Sequence, residues 1–173
     1  MSAGATLVLL RHGNAERPTP GGSDEVRALT ARGQRQARHI AGLFQQRGWM
    51  GEGVRIVSSP LVRAEQTARI VAGALRVEVE IDDRLSTHAD VPEQIESAIE
   101  HATAQGVLVL VGHNPTLSLL AHALLESPQT HERTWTGQLH TGEGLVIRLP
   151  GVMRPGGGRF VEALRLLDDE PGG

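Results

Sequence analysis

Two uninterrupted apolar runs constrain this chain more than any other feature: Leu7-Val8-Leu9-Leu10 and Val107-Leu108-Val109-Leu110-Val111. The first reads as a buried strand. The second, apolar at every position, reads as a central parallel strand, because such strands are covered by helices on both faces. Each run ends abruptly in chemistry. Arg11-His12-Gly13-Asn14 follows the first, and Gly112-His113-Asn114-Pro115 closes the second.

The intervening sequence alternates in period. Thr30 is the expected cap of a helix over roughly 31–47, whose stripe is Ala37, Ile40, Ala41 and Phe44 and whose stop is Gly48. Val54 to Val57 reads as a second strand. Ser59 then reads as a helix cap with Pro60 at the first helical position, followed by Leu61, Ala64, Ala68, Val71, Ala72 and Leu75 on one side. Val77 to Ile81 alternates as a third, half-exposed strand, and Asp82 to Val91 is polar and irregular. Pro92 opens a helix expected to bury Ile95, Ala98, Ile99 and Ala102. A further helix buries Leu117, Leu120, Ala121 and Leu124. Ser127 to Thr141 reads as a polar loop, and Glu16 to Asp24 as a Pro- and Gly-rich surface loop. Two late strands, Gly144 to Leu149 and Arg159 to Leu167, flank a turn at Gly156-Gly157-Gly158. This order predicts an α/β fold, a three-layer sandwich with a mainly parallel central sheet flanked by helices. Residues 1–173 are expected to form a single domain, with 168–173 a frayed tail.

Composition removes several classes of function. The 173 residues carry a formal net charge of -3, which argues against general nucleic-acid binding. There is no cysteine, which excludes disulfides, thiolate metal sites and cysteine nucleophiles. No apolar stretch is long enough to span a bilayer, and the first residues lack the parts of a secretory signal, so a cytoplasmic protein is expected. All 17 basic residues other than histidine are arginine, a bias that leaves position, not arginine content, to identify an anion site.

In sheets of this kind, ligands bind outside the carboxyl ends of the strands. That rule gathers Arg11-His12-Gly13, Ser59-Pro60-Leu61-Val62-Arg63 and Gly112-His113-Asn114-Pro115 at one end. Either histidine alone would read as a hydrogen-bonded structural residue. Two imidazoles and two guanidiniums, Arg11 and Arg63, converging on one point favour a bound dianion. Arg63 also lies just inside a helix N-terminus, where free N–H groups attract anions. Its bland alternatives are a solvated arginine or a pair with Glu65 or Asp83.

The set of motifs resembles the histidine phosphatase superfamily, and within it the short SixA-type phosphohistidine phosphatases. The matching pieces are Leu-Arg-His-Gly-Asn-Ala-Glu (10–16), Arg-Ala-Leu-Thr-Ala-Arg-Gly (27–33), Ser-Ser-Pro-Leu-Val-Arg-Ala-Glu-Gln-Thr (58–67) and Val-Gly-His-Asn-Pro (111–115). The resemblance implies a phosphoglycerate mutase-like fold and metal-independent phosphoryl transfer with no cofactor. It implies that His12 is the nucleophile and becomes transiently phosphorylated. Arg11, Arg63 and His113 would hold the phosphoryl oxygens, and Asn14 would add a side-chain contact. Many relatives carry a Glu after the third strand that protonates the leaving alcohol. The corresponding window, Asp83 to His88, has no Glu, and Glu93 reads as the start of a helix. This gap suits a leaving nitrogen and a protein-borne phosphohistidine as partner, with Asp83 or His88 as substitute acids for an ester. The alternatives are a phosphomonoesterase of small phosphorylated metabolites and a non-catalytic phosphohistidine-binding module; a mutase is less favoured.

The other features take bland readings. His39 and His101 are expected to face solvent, His122 to sit at the core edge, and His131 and His140 to lie in or beside a polar loop, with His140 a candidate for the site mouth. No compact ligand spacing predicts a metal site. Trp49 and Trp135 are too isolated to stack bases, and Gly156 to Gly158 lacks the setting of a phosphate loop.

Overall fold

The computed structural model describes residues 4–126 and 135–166. The first apolar run is the core of β1 (Ala5–Arg11), in which Leu7, Val8, Leu9 and Leu10 are all fully buried. Successive strand side chains point to opposite faces, so this one run feeds two cores. Leu7 and Leu9 pack with Leu110, Leu117, Leu120 and Leu124, whereas Val8 and Leu10 pack with Ile40, Phe44, Val71 and Leu75.

The second run is β4 (Val107–Gly112), buried at every position and parallel to β1. On its other side lie β2 (Val54–Ser58) and then β3 (Val79–Ile81), both parallel. Beyond β1, β5 (Gly144–Leu149) runs antiparallel to β1, and β6 (Arg159–Leu164) runs antiparallel to β5. The sheet order is β3-β2-β4-β1-β5-β6. Helices α1 (Ala31–Gln46) and α2 (Val62–Leu75) cover one face, and α3 (Val91–His101) and α4 (Thr116–Leu124) cover the other. This is the three-layer sandwich with a mostly parallel sheet that the sequence predicts. No helix among the described residues is long and apolar enough to cross a membrane.

The local signals act largely as read. Thr30 caps α1, its hydroxyl accepting the Gly33 N–H at 3.1 Å. Gly48, just past the end of α1, has φ +71, the left-handed region glycine enters freely. Asp90 and Glu93 form a reciprocal capping box at α3.

Four expectations are corrected. Ser59 does not cap α2: the helix begins at Val62 after Leu61, and the Ser59 hydroxyl turns into the site described below. The third strand is shorter than Val77 to Ile81, because Arg76 closes α2 in a left-handed conformation and Val77 still hydrogen-bonds back to Ala72. The face of α3 is rotated. Gln94, Ser97, Ala98 and His101 are buried and Ile99 is 51% exposed. The cause is polar: the Ser97 hydroxyl donates to Asp82 Oδ2 at 2.7 Å, pinning that side of the helix to the 3-10 turn Asp83–Leu85. His101 is therefore buried, its Nδ1 2.8 Å from the Ser97 carbonyl, rather than solvent-facing.

Residues 127–134 of the loop expected over 127–141, and the expected tail 168–173, lie outside the described residues, as does His131. Trp135 and Leu139, the apolar residues of the remainder, are buried in the core. The glycine run 156–158 lies between β5 and β6 as expected, and Gly158 pairs with Leu125.

One close approach ties α1 to the residues after β1. A Cβ on Gly33 would stand 2.1 Å from the Asn14 carbonyl oxygen, and one on Gly13 would stand 2.6 Å from the Gly33 carbonyl oxygen. Two backbones meet where neither can carry a side chain. Gly42, in the same helix, has open space around it. Gly33→Ala should therefore cost about 1–3 kcal/mol through overpacking, whereas Gly42→Ala should gain up to about 1 kcal/mol from helix propensity. Urea midpoints at constant m-value check both signs.

Candidate active site

The carboxyl ends of β1, β2 and β4 build the site. In the parallel register Arg11 faces Gly112 and Ser58 faces Val111. The next residue of each strand is therefore His12, His113 or Ser59. Backbone bonds continue that register past the strands, from His12 N–H to the Gly112 carbonyl at 3.2 Å and from Ser59 N–H to the Val111 carbonyl at 2.9 Å. The His12 and His113 rings stand 5.1 Å apart between centroids, and His113 Nε2 lies 2.7 Å from Ser59 Oγ. Arg63, in the first turn of α2, directs its Nε–H to His12 Nε2 at 3.2 Å. Arg11, half-buried, donates from Nη1 to the Leu139 carbonyl at 2.9 Å. The structure thus brings Arg11, His12, Arg63 and His113 together. Asn14 follows one step behind. Its Oδ1 accepts from Thr30 Oγ1 at 2.7 Å and its backbone N–H donates to Gln36 Oε1 at 2.8 Å, so these hydrogen bonds run to α1 and its cap.

Hydrogen bonding sets the protonation of His12. Nδ1 lies 2.7 Å from the Gly13 carbonyl, which can only accept, so Nδ1 carries the proton. Nε2 is left with its lone pair, and Arg63 donates to it. Burial lowers the His12 pKa to about 4; the Gly13 carbonyl opposes the shift, and the charges of Arg63, Arg11 and Arg27 add to it. Burial also lowers His113 to about 3, helped by His12 and Arg63. Both imidazoles are neutral at pH 7. Burial likewise lowers the Arg11 guanidinium from its ordinary value, though an arginine remains charged at neutral pH.

Among the described residues, the buried side-chain polar atoms without a partner are Arg11 Nε, His113 Nδ1 and the two amide atoms of Gln94. Two of the four belong to this site. An unpaired buried polar group carries a desolvation cost, which an oxyanion would relieve at a donor such as Arg11 Nε. The α2 N-terminus favours the same charge. No group of three or more metal-ligating side chains occurs among the described residues. Chemically, the arrangement can hold a phosphate-like dianion against two guanidiniums and offer it a neutral imidazole nitrogen.

Several participants escaped the sequence reading. Arg63 pairs neither with Glu65, which binds Arg69, nor with Asp83, which is exposed. Its partner is Asp24, from the stretch read only as a surface loop: Arg63 Nη2 meets Asp24 Oδ2 at 2.8 Å and Nη1 meets the Asp24 carbonyl at 2.8 Å. Nothing local in the sequence signals this contact. Thr67 did carry a signal, since it stands one helical turn after Arg63 on the same face. Its hydroxyl donates to the Arg63 carbonyl at 2.8 Å and accepts the Gly13 N–H at 3.0 Å. The segment 139–143 closes the other side, with Gly142 N–H on the His12 carbonyl and the Glu143 carbonyl on Arg11 N–H. His140 and His88 are exposed. His122 is exposed too, its ring against Trp135.

The chain is similar to several known proteins in sequence and fold. The histidine phosphatase superfamily (branch 1) pattern matches residues 7–89. A relative from Enterobacter sp. named "Probable phosphoglycerate mutase GpmB" is 42% identical over 83 residues, covering 46% of this chain and 36% of that protein. The chain thus spans about a third of that relative's length. An uncharacterized Picosynechococcus protein is 35% identical over 121 residues, 68% of this chain and 72% of that one. In fold, the chain is similar to a protein assigned as phosphohistidine phosphatase SixA from Agrobacterium tumefaciens, with TM-score 0.78, 24% identity, and 94% and 99% of the two chains covered. It is also similar to the protein histidine phosphatase SixA complexed with tungstate, with TM-score 0.74, 23% identity, and coverage of 92% and 96%. With its Arg-His-Gly strand end inside the matched segment and a second histidine beside it in space, the chain belongs to the histidine phosphatase superfamily.

Proposed function

We propose that this protein is a phosphohistidine phosphatase that works through a phosphorylated His12. The observation that carries the reading is the state of His12: one nitrogen is committed to the Gly13 carbonyl, and the other, Nε2, is unprotonated and held beside the Arg63 guanidinium. An imidazole attacks phosphorus only through an unprotonated nitrogen, and burial keeps His12 in its neutral form.

In this scheme His12 Nε2 bonds to phosphorus as the phosphorus–nitrogen bond of the substrate breaks. The departing imidazole, already carrying a proton on its second ring nitrogen, leaves as the neutral base and needs no acid. Water then attacks phospho-His12 and releases inorganic phosphate. Arg11, Arg63 and His113 hold the phosphoryl oxygens, and Asn14 adds a contact. Fixed donors that meet the charge on the transferring group provide most of the acceleration in phosphoryl transfer.

The choice of a nitrogen leaving group rests on the carboxylates. An ester oxygen needs a protonated acid near the bond it breaks. Asp24, the carboxylate hydrogen-bonded to Arg63, is opposed by its own desolvation, but Arg63 and Arg27 outweigh that and hold it below its ordinary pKa as an anion. The fold neighbours named SixA support the same substrate class. A phosphomonoesterase of small metabolites is the second reading. It is favoured by the sequence relative named as a phosphoglycerate mutase and by the exposed Asp83 and His88 after β3.

A phosphotransfer domain carrying phosphohistidine should be turned over with a higher kcat/KM than phosphate esters; faster ester turnover would select the second reading. His12→Ala should lose at least about 10^4-fold in kcat, and removing one oxyanion donor with Arg63→Ala about 10^2–10^3-fold. Phosphate binding without turnover in the wild-type protein would identify a binding module instead.

Acid should act on stability before it protonates the folded site. Unfolded histidines bind protons below about pH 6.5, whereas His12 and His113 do so only near 4 and 3. Between those values the unfolded state binds more protons, so stability falls as pH falls, by about 1.4 kcal/mol per unit for each histidine. Urea unfolding at pH 7.5 and 5.5 measures the loss, and His113→Asn should shrink it. Ring nitrogen NMR should show both imidazoles neutral throughout that range.

A further inference from the structure

Arg63 is almost wholly buried, yet its charge is balanced by a residue at the surface. The Arg63 side chain is 4% exposed and that of Asp24 is 51% exposed. Asp24 approaches with two different oxygens. Its carboxylate takes Nη2 and its backbone carbonyl takes Nη1, each at 2.8 Å. A guanidinium is planar and rigid. Two contacts at its far end therefore set the direction of the Nε–H, which points at His12 Nε2. Asp24 is itself braced. Its Oδ1 takes Arg27 Nε at 2.7 Å, and Arg27 Nη1 reaches the Glu16 carbonyl at 2.9 Å. Ser23 caps the short 3-10 turn that Asp24 opens. A continuous line of hydrogen bonds thus runs from Glu16 through Arg27, Asp24 and Arg63 to His12.

We infer that Asp24 is a positioning residue for phosphoryl transfer, fixing the plane of Arg63 against His12; the inference rests on the catalytic roles proposed above. Asp24 hydrogen-bonds Arg63 and acts through it. Nη1 and Nη2 each retain one hydrogen after bonding Asp24, so the phosphoryl oxygens and Asp24 share Arg63 without competing for the same donor. The surface arm contributes geometry more than affinity. Its negative charge works slightly against anion binding, and losing it leaves the cation in place but free to turn. A group that orients a transition-state donor lowers kcat when removed and leaves KM nearly unchanged.

The test uses the full chain with Asp24→Ala and Asp24→Asn. With p-nitrophenyl phosphate as the probe, Asp24→Ala should lower kcat at least tenfold and move KM less than threefold, with the thermal midpoint nearly unchanged. Asp24→Asn, which keeps an oxygen for Nη2, should recover most of the lost kcat. In parallel, the Arg63 Nε–H signal, identified with Arg63→Lys, should be sharp in the wild-type protein and shifted or broadened in Asp24→Ala. A kcat within twofold of wild type in Asp24→Ala, or a tenfold rise in KM with kcat unchanged, would overturn the inference. So would an unmoved Arg63 signal. The NMR arm needs no turnover. If the wild-type protein hydrolyses no phosphate compound, the phosphatase reading fails while the signal still decides whether Asp24 holds Arg63.

Discussion

The parallel register between β1 and β4 is the constraint on which the rest of the site depends. Arg11 stands opposite Gly112, so the first residues past the two strands, His12 and His113, emerge side by side. Slipping a strand by one residue would exchange its two faces. Here Leu7 and Leu9 would move into the core of α1 and α2, and Val8 and Leu10 into the core of α3 and α4. Burial on both faces thus pins the register, and the register pins the chemistry. The strands are apolar for reasons of packing, but the consequence is two imidazoles set side by side at their ends.

The site manages buried charge by unequal means. Four groups that can be cationic, Arg11, His12, Arg63 and His113, crowd a largely buried region. Burial turns the two histidines neutral. The arginines cannot follow, since a guanidinium keeps its proton at neutral pH. Arg63 is balanced by Asp24, and Arg11 is held by the Leu139 carbonyl and drawn upward by Glu143 against its burial. Neutral imidazoles between charged donors follow from that asymmetry. The same desolvation that lowers the histidines strengthens each hydrogen bond the arginines make.

Support for His12 comes from behind as well. Gly13 and Gly33 allow α1 to meet the turn after β1 backbone to backbone. Thr67 takes the Gly13 N–H, Gln36 takes the Asn14 N–H, and Gly142 donates to the His12 carbonyl. The turn after β1 is therefore hydrogen-bonded to α1, α2 and the loop before β5 at once. A loop held from three sides has few conformations to lose when a ligand binds.

The sequence by itself determined the repeating elements, the ends of the central strands and four of the groups gathered there. Apolar runs, the 3.6-residue stripes of α1, α2 and α4, and caps such as Thr30 are local, because they report how a segment meets a core without naming the partner. Arg11, His12, Arg63 and His113 were legible because the carboxyl-end rule needs only strand ends and their order. Tertiary structure alone decided which carboxylate balances Arg63, since Asp24 is 39 positions away in a loop whose composition signals only a turn. It decided that Ser59 serves His113 rather than α2, a choice made by the neighbouring strand's register. It also rotated α3, where the Ser97–Asp82 bond outweighed the apolar stripe and carried His101 inside. In each case the deciding contact joins segments far apart in the chain, and periodicity records a residue's own face but not what will be packed against it.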